Sequence, residues 1–580
     1  MAEADQDERD LSVALPQRDQ PVPSARRHDL DAIRSFAMLL GLVLHAALAY
    51  IGMGWPVSDE PTVPMLGAIV AIIHGFRMPL FFLLSGFFAA MLLRRRGLRG
   101  LLKHRIARIA VPLAIGCVTI LPFMEFAFAW SMDQQRSAVS EMVNEDAPAE
   151  RAPSDDIWTV AAYGDLEGLK AYGEDSEFLD TPDPQFGVTP LGWTALRDRP
   201  SAAAYLLKVG ADPSARYRDG HTPMHTACFF GRDEVAQHLL GAGADLTLAS
   251  PMGELPPQAM RHGRQLTESL ARMMSIPIDF ERVEEGRARI RAMIETRAAE
   301  LPAKAGTGAE EAGLGWRFRL FDQPFFGHLW FLWFLCWLIA AMVALVKIGR
   351  LVPRVRLPAW LFAPPLFLVW AVPLTMAAQF FMRGSGSFAG FGPDTSAGLL
   401  PMPHMLAYYG VFFGVGAAVF AARGPGVRLG RGWPVTISIA WVFLWLGLTF
   451  GSETEWTREL VTNETAHWWV SVLMETLYAW TLSLALIGLC EVTLTRERRW
   501  VRYVSDSSYW LYVIHLPLFV LGQGAMLSSG MPTLAKFAVL SLGGTAVLLV
   551  SYQLFVRHTP IGWLLNGKRN RPGRDATGSA

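Results

Sequence analysis

Ten long apolar runs limit what this chain of 580 residues can fold into. A run of about 18 or more residues with few charges is long enough to cross a bilayer as a helix. Only 18% of the residues are charged and 52% are hydrophobic, whereas soluble domains are typically about 25% charged. The runs cover residues 33–52, 65–93, 106–130, 326–348, 359–382, 401–422, 433–451, 467–490, 503–528 and 533–556. We therefore predict an all-α, polytopic membrane protein of about ten transmembrane helices.

Basic residues occur in every second connection between these runs. Arginines and lysines are dense at 94–108, between the second and third runs, whereas the connection at 452–466 is acidic. Connections rich in Lys and Arg stay on the cytoplasmic side of a membrane. This alternation predicts that the N- and C-termini are both cytoplasmic.

One connection is long enough to be a domain and contains an internal repeat. The segment GVTPL at 187–191 recurs as GHTPM at 220–224, and GADP at 210–213 recurs as GADL at 243–246. A period of 33 residues with a TPLH-like turn is typical of ankyrin repeats. We predict these repeats at about 155–265, on the extracytoplasmic side, where they either bind a protein or act as a spacer over the membrane site.

The resulting organisation has five parts. A polar tail at 1–25 precedes the first three membrane helices at 26–130. The inserted region at 131–325 separates them from the remaining seven helices at 326–556, and a cytoplasmic tail follows at 557–580.

Composition excludes several classes of protein. The 52 basic and 52 acidic residues give a net charge of zero, which argues against a nucleic-acid partner. Four cysteines in 580 residues exclude a disulfide scaffold. No Cys/His cluster has the spacing of a zinc site, so we expect no metal.

Ionisable residues inside the apolar runs are the candidate functional residues, because burying them in a membrane is costly. Arg34 and His45 are eleven positions apart, about three turns, so they lie on one helix face about 16 Å apart. His is the natural general base near neutral pH. We predict a polar cavity at mid-membrane; its further lining residues are His74, Arg77, His328, Glu475 and His515.

Arg105 and Arg108 flank the third run on its cytoplasmic side. Two interpretations remain open for this pair. The arginines either determine topology, or they hold a donor that carries phosphate groups.

Several sequence blocks, in this order along the chain, resemble the acyltransferase-3 family of bacterial membrane O-acyltransferases, and its glucan-succinyltransferase branch most. Each block lies on a predicted helix or at its end. The blocks are Arg34 with His45, HGFRMPLFFLLSGF at 74–87, RIARI at 105–109, HLWFL at 328–332, YYGVFF at 408–413, SSYWLYVIHLP at 507–517 and VRHTPIG at 556–562. The inserted repeats are a departure from the family pattern.

The resemblance implies a function. The donor would be acetyl-CoA or succinyl-CoA, with no permanently bound cofactor, and the acceptor would be a carbohydrate hydroxyl at the surface of a bacterial inner membrane. His45 would be the catalytic base or acyl carrier, supported by Arg34, and Arg105 and Arg108 would contact the phosphates of CoA. The rival hypotheses are a transporter that uses the same cavity and a non-catalytic, ankyrin-bearing membrane scaffold.

Overall fold

The computed structural model describes residues 27–145, 156–300 and 325–566, and all regular elements in these ranges are helices. Short gaps interrupt the ranges at 52–54, 56, 58, 60–61, 173–175, 184–185, 219, 251–253, 265–266, 268–269, 272–273, 275, 277, 350–357, 383–390, 397, 425, 453 and 497. The predicted tail at 1–25 lies outside the described residues. The all-α prediction is confirmed.

The chain divides into two compact units. The first is built from Met1–Met53, Val57–Ser131 and Glu310–Ala580, and the second from Gly54–Pro56 and Met132–Ala309. The first unit contains the apolar helices, and we call it the membrane unit. The second contains the repeats, and we call it the ankyrin unit.

The membrane unit is a bundle of helices, most of them long and apolar. In chain order they are α1 (His28–Ala47), α2 (Pro64–Arg105), α3 (Val111–Glu145, whose end belongs to the ankyrin unit), α12 (Trp330–Ile348), α13 (Leu368–Phe380), α14 (Pro403–Arg423), α15 (Trp433–Gly451), α16 (Glu455–Leu460), α17 (Glu464–Thr493), α18 (Arg499–Met526), α19 (Thr533–Ala538), α20 (Thr545–Ser551) and α21 (Pro560–Asn566). Helices α4 to α11 belong to the ankyrin unit.

Eight helical segments in the described part of the chain are long and apolar enough to cross a membrane. One of them, Pro64–Gln135, contains two of the predicted runs. Gly97 separates those runs, because its φ of 65° and ψ of −177° are not helical. A positive φ is easily adopted only by glycine. A multi-pass membrane protein is therefore confirmed, and this segment accounts for two of the ten predicted helices.

The predicted run at 359–382 forms a shorter helix than expected. Only Leu368–Phe380 is α-helical, after a 3₁₀ turn at Ala359–Phe362. Pro364 and Pro365 lie between these elements. Proline has no backbone N–H to donate, so the α-helix begins only after them.

Close helix contacts hold the residues of interest in place. Helix α1 packs on α18 and α2, and α2 packs along α14. At Gly86 of α2, an added Cβ would overlap the carbonyl group of Phe413 of α14. Small residues allow membrane helices to approach this closely.

The ankyrin unit contains three pairs of short helices, and their first helices begin 33 residues apart at Ile157, Pro190 and Pro223. The pairs are α4 (Ile157–Tyr163) and α5 (Leu166–Tyr172), α7 (Pro190–Arg197) and α8 (Pro200–Lys208), and α9 (Pro223–Phe230) and α10 (Asp233–Gly241), with α6 (Ser176–Leu179) after the first pair. The predicted decayed repeat near Gly253 contributes a 3₁₀ turn at Pro256–Arg261, and the long helix α11 (Phe280–Glu300) follows.

His225 of the repeat motif has a structural role. The ring of His225 caps α9: its Nδ1 lies 3.1 Å from the backbone N of Thr222, and its Nε2 lies 2.9 Å from the carbonyl oxygen of Glu254. These bonds give the His of the repeat motif a role in holding the start of α9.

Candidate active site

His45 and His515 are brought together although 470 positions separate them in the sequence. His45 lies in the last turn of α1 and His515 lies in the middle of α18. Nδ1 of His45 is 3.3 Å from Nε2 of His515, and the ring centroids are 4.9 Å apart. We call these two residues the histidine pair. The structure thus brings together two of the residues that the sequence analysis assigned to one polar site.

Backbone carbonyls determine which ring nitrogens of the pair carry hydrogen. Nδ1 of His45 lies 2.8 Å from the carbonyl oxygen of Gly41, and Nδ1 of His515 lies 2.9 and 2.8 Å from those of Leu511 and Tyr512. A carbonyl oxygen only accepts, so each Nδ1 must donate. When both rings are neutral, the nitrogen without hydrogen is therefore Nε2 in each of them. Nε2 of His515 directs its lone pair toward His45.

His328 lies beside the histidine pair and forms a hydrogen bond with a backbone carbonyl of α18 that has no partner within the helix. Pro517 lacks an N–H, so the carbonyl of Val513 has no helical donor. Nε2 of His328 lies 3.0 Å from that oxygen and donates to it. The rings of His328 and His515 are 6.0 Å apart, and the hydroxyl of Tyr512 donates to the carbonyl of His328 at 2.7 Å. Because Pro517 leaves the carbonyl of Val513 available, that carbonyl can hold His328 beside the histidine pair.

Arg77 of α2 lies beside the turn of α1 that ends at His45. A Cβ added at Gly41 would overlap the guanidinium of Arg77. Arg77 is one of the charged groups that act electrostatically on His45, and its own electrostatic partners are the hydroxyls of Tyr512 and Tyr409. A permanent positive charge therefore lies next to the histidine pair.

Two residues of this site were missed by sequence reasoning. The side-chain amide of Gln523 donates to the carbonyl of His45 at 2.9 Å, and Gly41 leaves the space that Arg77 occupies. The sequence could have pointed to Gln523, because it is a polar residue in an apolar run, eight positions after His515 on the same helix. Gly41 had none.

His74 lies under an irregular segment at 391–394, between α13 and α14. An added Cβ on Gly392 would come within 3.0 Å of Cδ2 of His74 and of Cα of Gly75. The ring of His74 is hydrogen-bonded to the backbone of Pro393. His74 therefore contacts this segment, while it also acts electrostatically on His45.

Glu475 of α17 holds the same segment from the other side. Its carboxylate accepts hydrogen bonds from the backbone N of Gly392 at 2.9 Å, the amide of Gln379 at 2.7 Å and the hydroxyl of Ser471 at 3.1 Å. Glu475 was predicted to line the site, but its carboxylate contacts the segment at 391–394. Among the described residues, its polar contacts are with these groups and not with the histidine pair.

Asp394, in the same segment, is 3% exposed, and burial raises the pKa of its carboxyl to about 7. A raised pKa means that the folded state holds a proton that the unfolded state releases near pH 4. The free energy of unfolding should therefore fall by up to about 4 kcal/mol as the pH rises from about 4 to about 8. Asp394→Asn should weaken this dependence, as measured by thermal unfolding of the detergent-purified protein. Parallel pH profiles for the two proteins would contradict the expectation.

Arg34 lies at the other end of α1 from His45. Its guanidinium is 3.8 Å from Asp31 and 5.8 Å from the ring centroid of Phe88, and it acts electrostatically on Arg105. The structure therefore brings Arg34 to Arg105 and not to His45.

Arg108 and Arg96 extend this concentration of positive charge. Arg96 acts electrostatically on Arg108, and both act on His104. We call Arg34, Arg96, Arg105 and Arg108 the arginine cluster. Such a cluster is suited to phosphate groups, which guanidinium groups bind through paired hydrogen bonds.

Comparison with known families identifies the class of protein that this fold and site define. The family model described as an acyltransferase domain matches residues 27–193 and 298–556, which is more than half of the chain. A second model, described as ankyrin repeats in three copies, matches residues 157–250. The chain is therefore an integral-membrane acyltransferase.

It belongs to the acyltransferase-3 family, with ankyrin repeats inserted. Similar curated proteins are named glucans biosynthesis protein C. The chain is 38% identical over 106 residues to those of Escherichia coli K12, E. coli O1:K1 / APEC and E. coli O139:H28. The alignment covers 18% of this chain and 28% of each relative.

Proposed function

We propose that this protein transfers an acetyl or succinyl group from acyl-CoA to a hydroxyl of a cell-surface or periplasmic carbohydrate. The observation that carries the proposal is the hydrogen bonding of the histidine pair. It leaves the lone pair of the neutral His45 ring on Nε2, and a lone pair on imidazole is what general-base catalysis requires.

In the proposed reaction, Nε2 of His45 takes the proton of the acceptor hydroxyl while its oxygen attacks the thioester carbonyl. His515 accepts from Nδ1 of His45 and keeps the ring oriented. When the intermediate collapses, the thiolate of CoA leaves and takes the proton from His45. A route in which His45 itself first carries the acyl group uses the same nitrogen.

The arginine cluster supports a CoA donor. The cluster and the histidine pair lie at opposite ends of α1, and Arg34 and His45 are about 16 Å apart along the helix axis. A donor bound through its phosphates at the cluster would extend its thioester along α1 toward His45. In this proposal, the cluster is at the cytoplasmic face and both termini are cytoplasmic.

Donor binding gives a test that needs no acceptor. A ligand at 100 times its dissociation constant stabilises a native state that alone binds it by about 2.7 kcal/mol. Coenzyme A should therefore raise the melting temperature of the purified protein, and Arg105→Ala/Arg108→Ala should abolish the shift. Arg428→Ala/Arg431→Ala is the control and should retain it. A shift that survives in the double variant of the cluster would place the donor elsewhere.

The carbohydrate acceptor is supported by the name of the relatives, which refers to glucan biosynthesis. A bacterial inner membrane, with the acceptor on its outer side, follows from the same proposal. In this arrangement the ankyrin repeats are extracytoplasmic, where they either bind a protein partner or act as a spacer.

The proposed function can be tested in cells that make an unsubstituted periplasmic β-glucan. Expression of the wild-type chain should add acyl substituents, detected by mass spectrometry of the isolated glucan. Expression of His45→Gln at the same membrane level should not. Glucan that stays unmodified with a stably expressed wild-type protein would contradict a glucan acceptor.

A further inference from the structure

Arg77 is a charged side chain without a counter-ion at the centre of this site. Among the described residues no carboxylate pairs with its guanidinium, and its Nε is buried without a hydrogen-bond acceptor. Its electrostatic neighbours are the hydroxyls of Tyr409 and Tyr512 and the rings of the histidine pair. Each of these groups is neutral when His is unprotonated.

An unpaired cation in a membrane helix is costly, and arginines in such positions are usually paired for this reason. The position of Arg77 is also closely defined. Its guanidinium fills the space beside Gly41, and the carbonyl of Gly41 accepts the hydrogen bond of His45. The guanidinium already acts electrostatically on His45, so it would attract a negative charge that forms beside that ring.

We infer that Arg77 is a catalytic residue that stabilises the oxyanion formed at the thioester carbonyl during acyl transfer. This inference rests on the proposed function. As the hydroxyl oxygen bonds to the carbonyl carbon, its proton moves to Nε2 of His45 and the C=O π electrons move to the carbonyl oxygen. The oxyanion then lies near the guanidinium. Collapse restores the C=O bond and breaks the C–S bond, and the thiolate takes the proton from His45.

The missing counter-ion is consistent with this role. A carboxylate beside Arg77 would neutralise it in every state of the reaction. Without one, its charge is compensated only when the oxyanion is present, so the interaction stabilises the transition state more than the ground state.

The test compares two donors with a β-glucan oligosaccharide as the acceptor probe. Transfer from radiolabelled acetyl-CoA and from radiolabelled succinyl-CoA is measured for the wild type, Arg77→Gln and Arg77→Lys. Loss of an oxyanion donor typically lowers kcat by about 10² to 10³. Arg77→Gln should show such a loss with both donors, with KM little changed, and Arg77→Lys should recover part of the rate.

A second variant, Gly41→Ala, retains Arg77 but changes the position of its guanidinium. The methyl group of Gly41→Ala would overlap the guanidinium and displace it, and alanine favours a helix more than glycine. This variant should fold and lose kcat for both donors. Gly67→Ala is the matched control, because a Cβ there meets no atom within 4 Å. If Arg77→Gln does not fold, this pair of variants decides the question.

Four results would overturn the inference. A loss confined to succinyl-CoA would make Arg77 the counter-ion of the succinyl carboxylate. A rise in KM at constant kcat would make it a ground-state binding residue. A wild-type protein that binds CoA but transfers neither label would refute the proposed function and, with it, this role. Normal kcat in Arg77→Gln would refute the inference alone.

Discussion

His45→Gln is expected to lower the rate of acyl transfer by about 10² to 10⁴, the usual contribution of a general base. Glutamine is close to histidine in size, and its amide can still donate to the carbonyl of Gly41. It has no basic nitrogen to take the hydroxyl proton. The measurement is kcat for acyl transfer by purified protein, with membrane expression and melting temperature as checks on folding.

His467→Gln is the matched control for this prediction. His467 is a buried histidine in another predicted membrane helix, and its Nε2 lies 3.1 Å from the hydroxyl of Thr457, away from the histidine pair. Its replacement should leave kcat within a few-fold of the wild type. If His45→Gln retains the wild-type rate, the proton acceptor is another group.

The second large effect concerns stability. Gly86→Ala should destabilise the membrane unit, because the new methyl group would overlap the backbone carbonyl of Phe413, which cannot rotate away as a side chain can. Overpacking typically costs about 1–3 kcal/mol, and a backbone clash belongs at the upper end of this range. The melting temperature in detergent should fall clearly, and activity should fall with it because α2 carries His74 and Arg77.

Gly414→Ala tests whether this loss is specific to the contact. Gly414 lies on α14 next to Phe413, but a Cβ there meets no atom within 4 Å. We expect its melting temperature to equal or exceed that of the wild type. Equal losses in both variants would show that the destabilisation does not come from the close approach of α2 and α14.

The membrane helices were predictable because their signal is local. Length and hydropathy identify a spanning helix without knowledge of its neighbours. The run at 359–382 shows the limit of this signal. It is apolar throughout, but Pro364 and Pro365 delay the α-helix, and hydropathy alone does not register the missing N–H groups.

The ankyrin repeats were predictable for a similar reason, since their 33-residue period appears directly in the sequence. The fourth repeat, predicted near Gly253, does not form a helix pair like the other three. The sequence near Gly253 retains part of the motif, but the chain there forms a 3₁₀ turn and then the long helix α11.

The site was only partly predictable. Ionisable residues in apolar runs pointed to the histidine pair and to Arg77. Their connections depend on tertiary contacts that leave no periodic pattern. Pro517 frees the carbonyl that holds His328, and the irregular segment at 391–394 separates Glu475 from the histidines. The spacing predicts that Arg34 and His45 lie on one helix face, but the charged neighbours of Arg34 in the structure are Asp31 and Arg105.

The most direct test of the central claim is transfer of a radiolabelled acyl group by the purified protein. Wild-type protein, Arg105→Ala/Arg108→Ala and His45→Gln are each incubated with labelled acetyl-CoA or succinyl-CoA and a β-glucan oligosaccharide. The account predicts label on the glucan with the wild type, little label with the arginine variant because donor binding is weakened, and none with His45→Gln although it still binds CoA. Label transferred equally by His45→Gln, or no transfer by a folded wild-type protein that binds CoA, would contradict it.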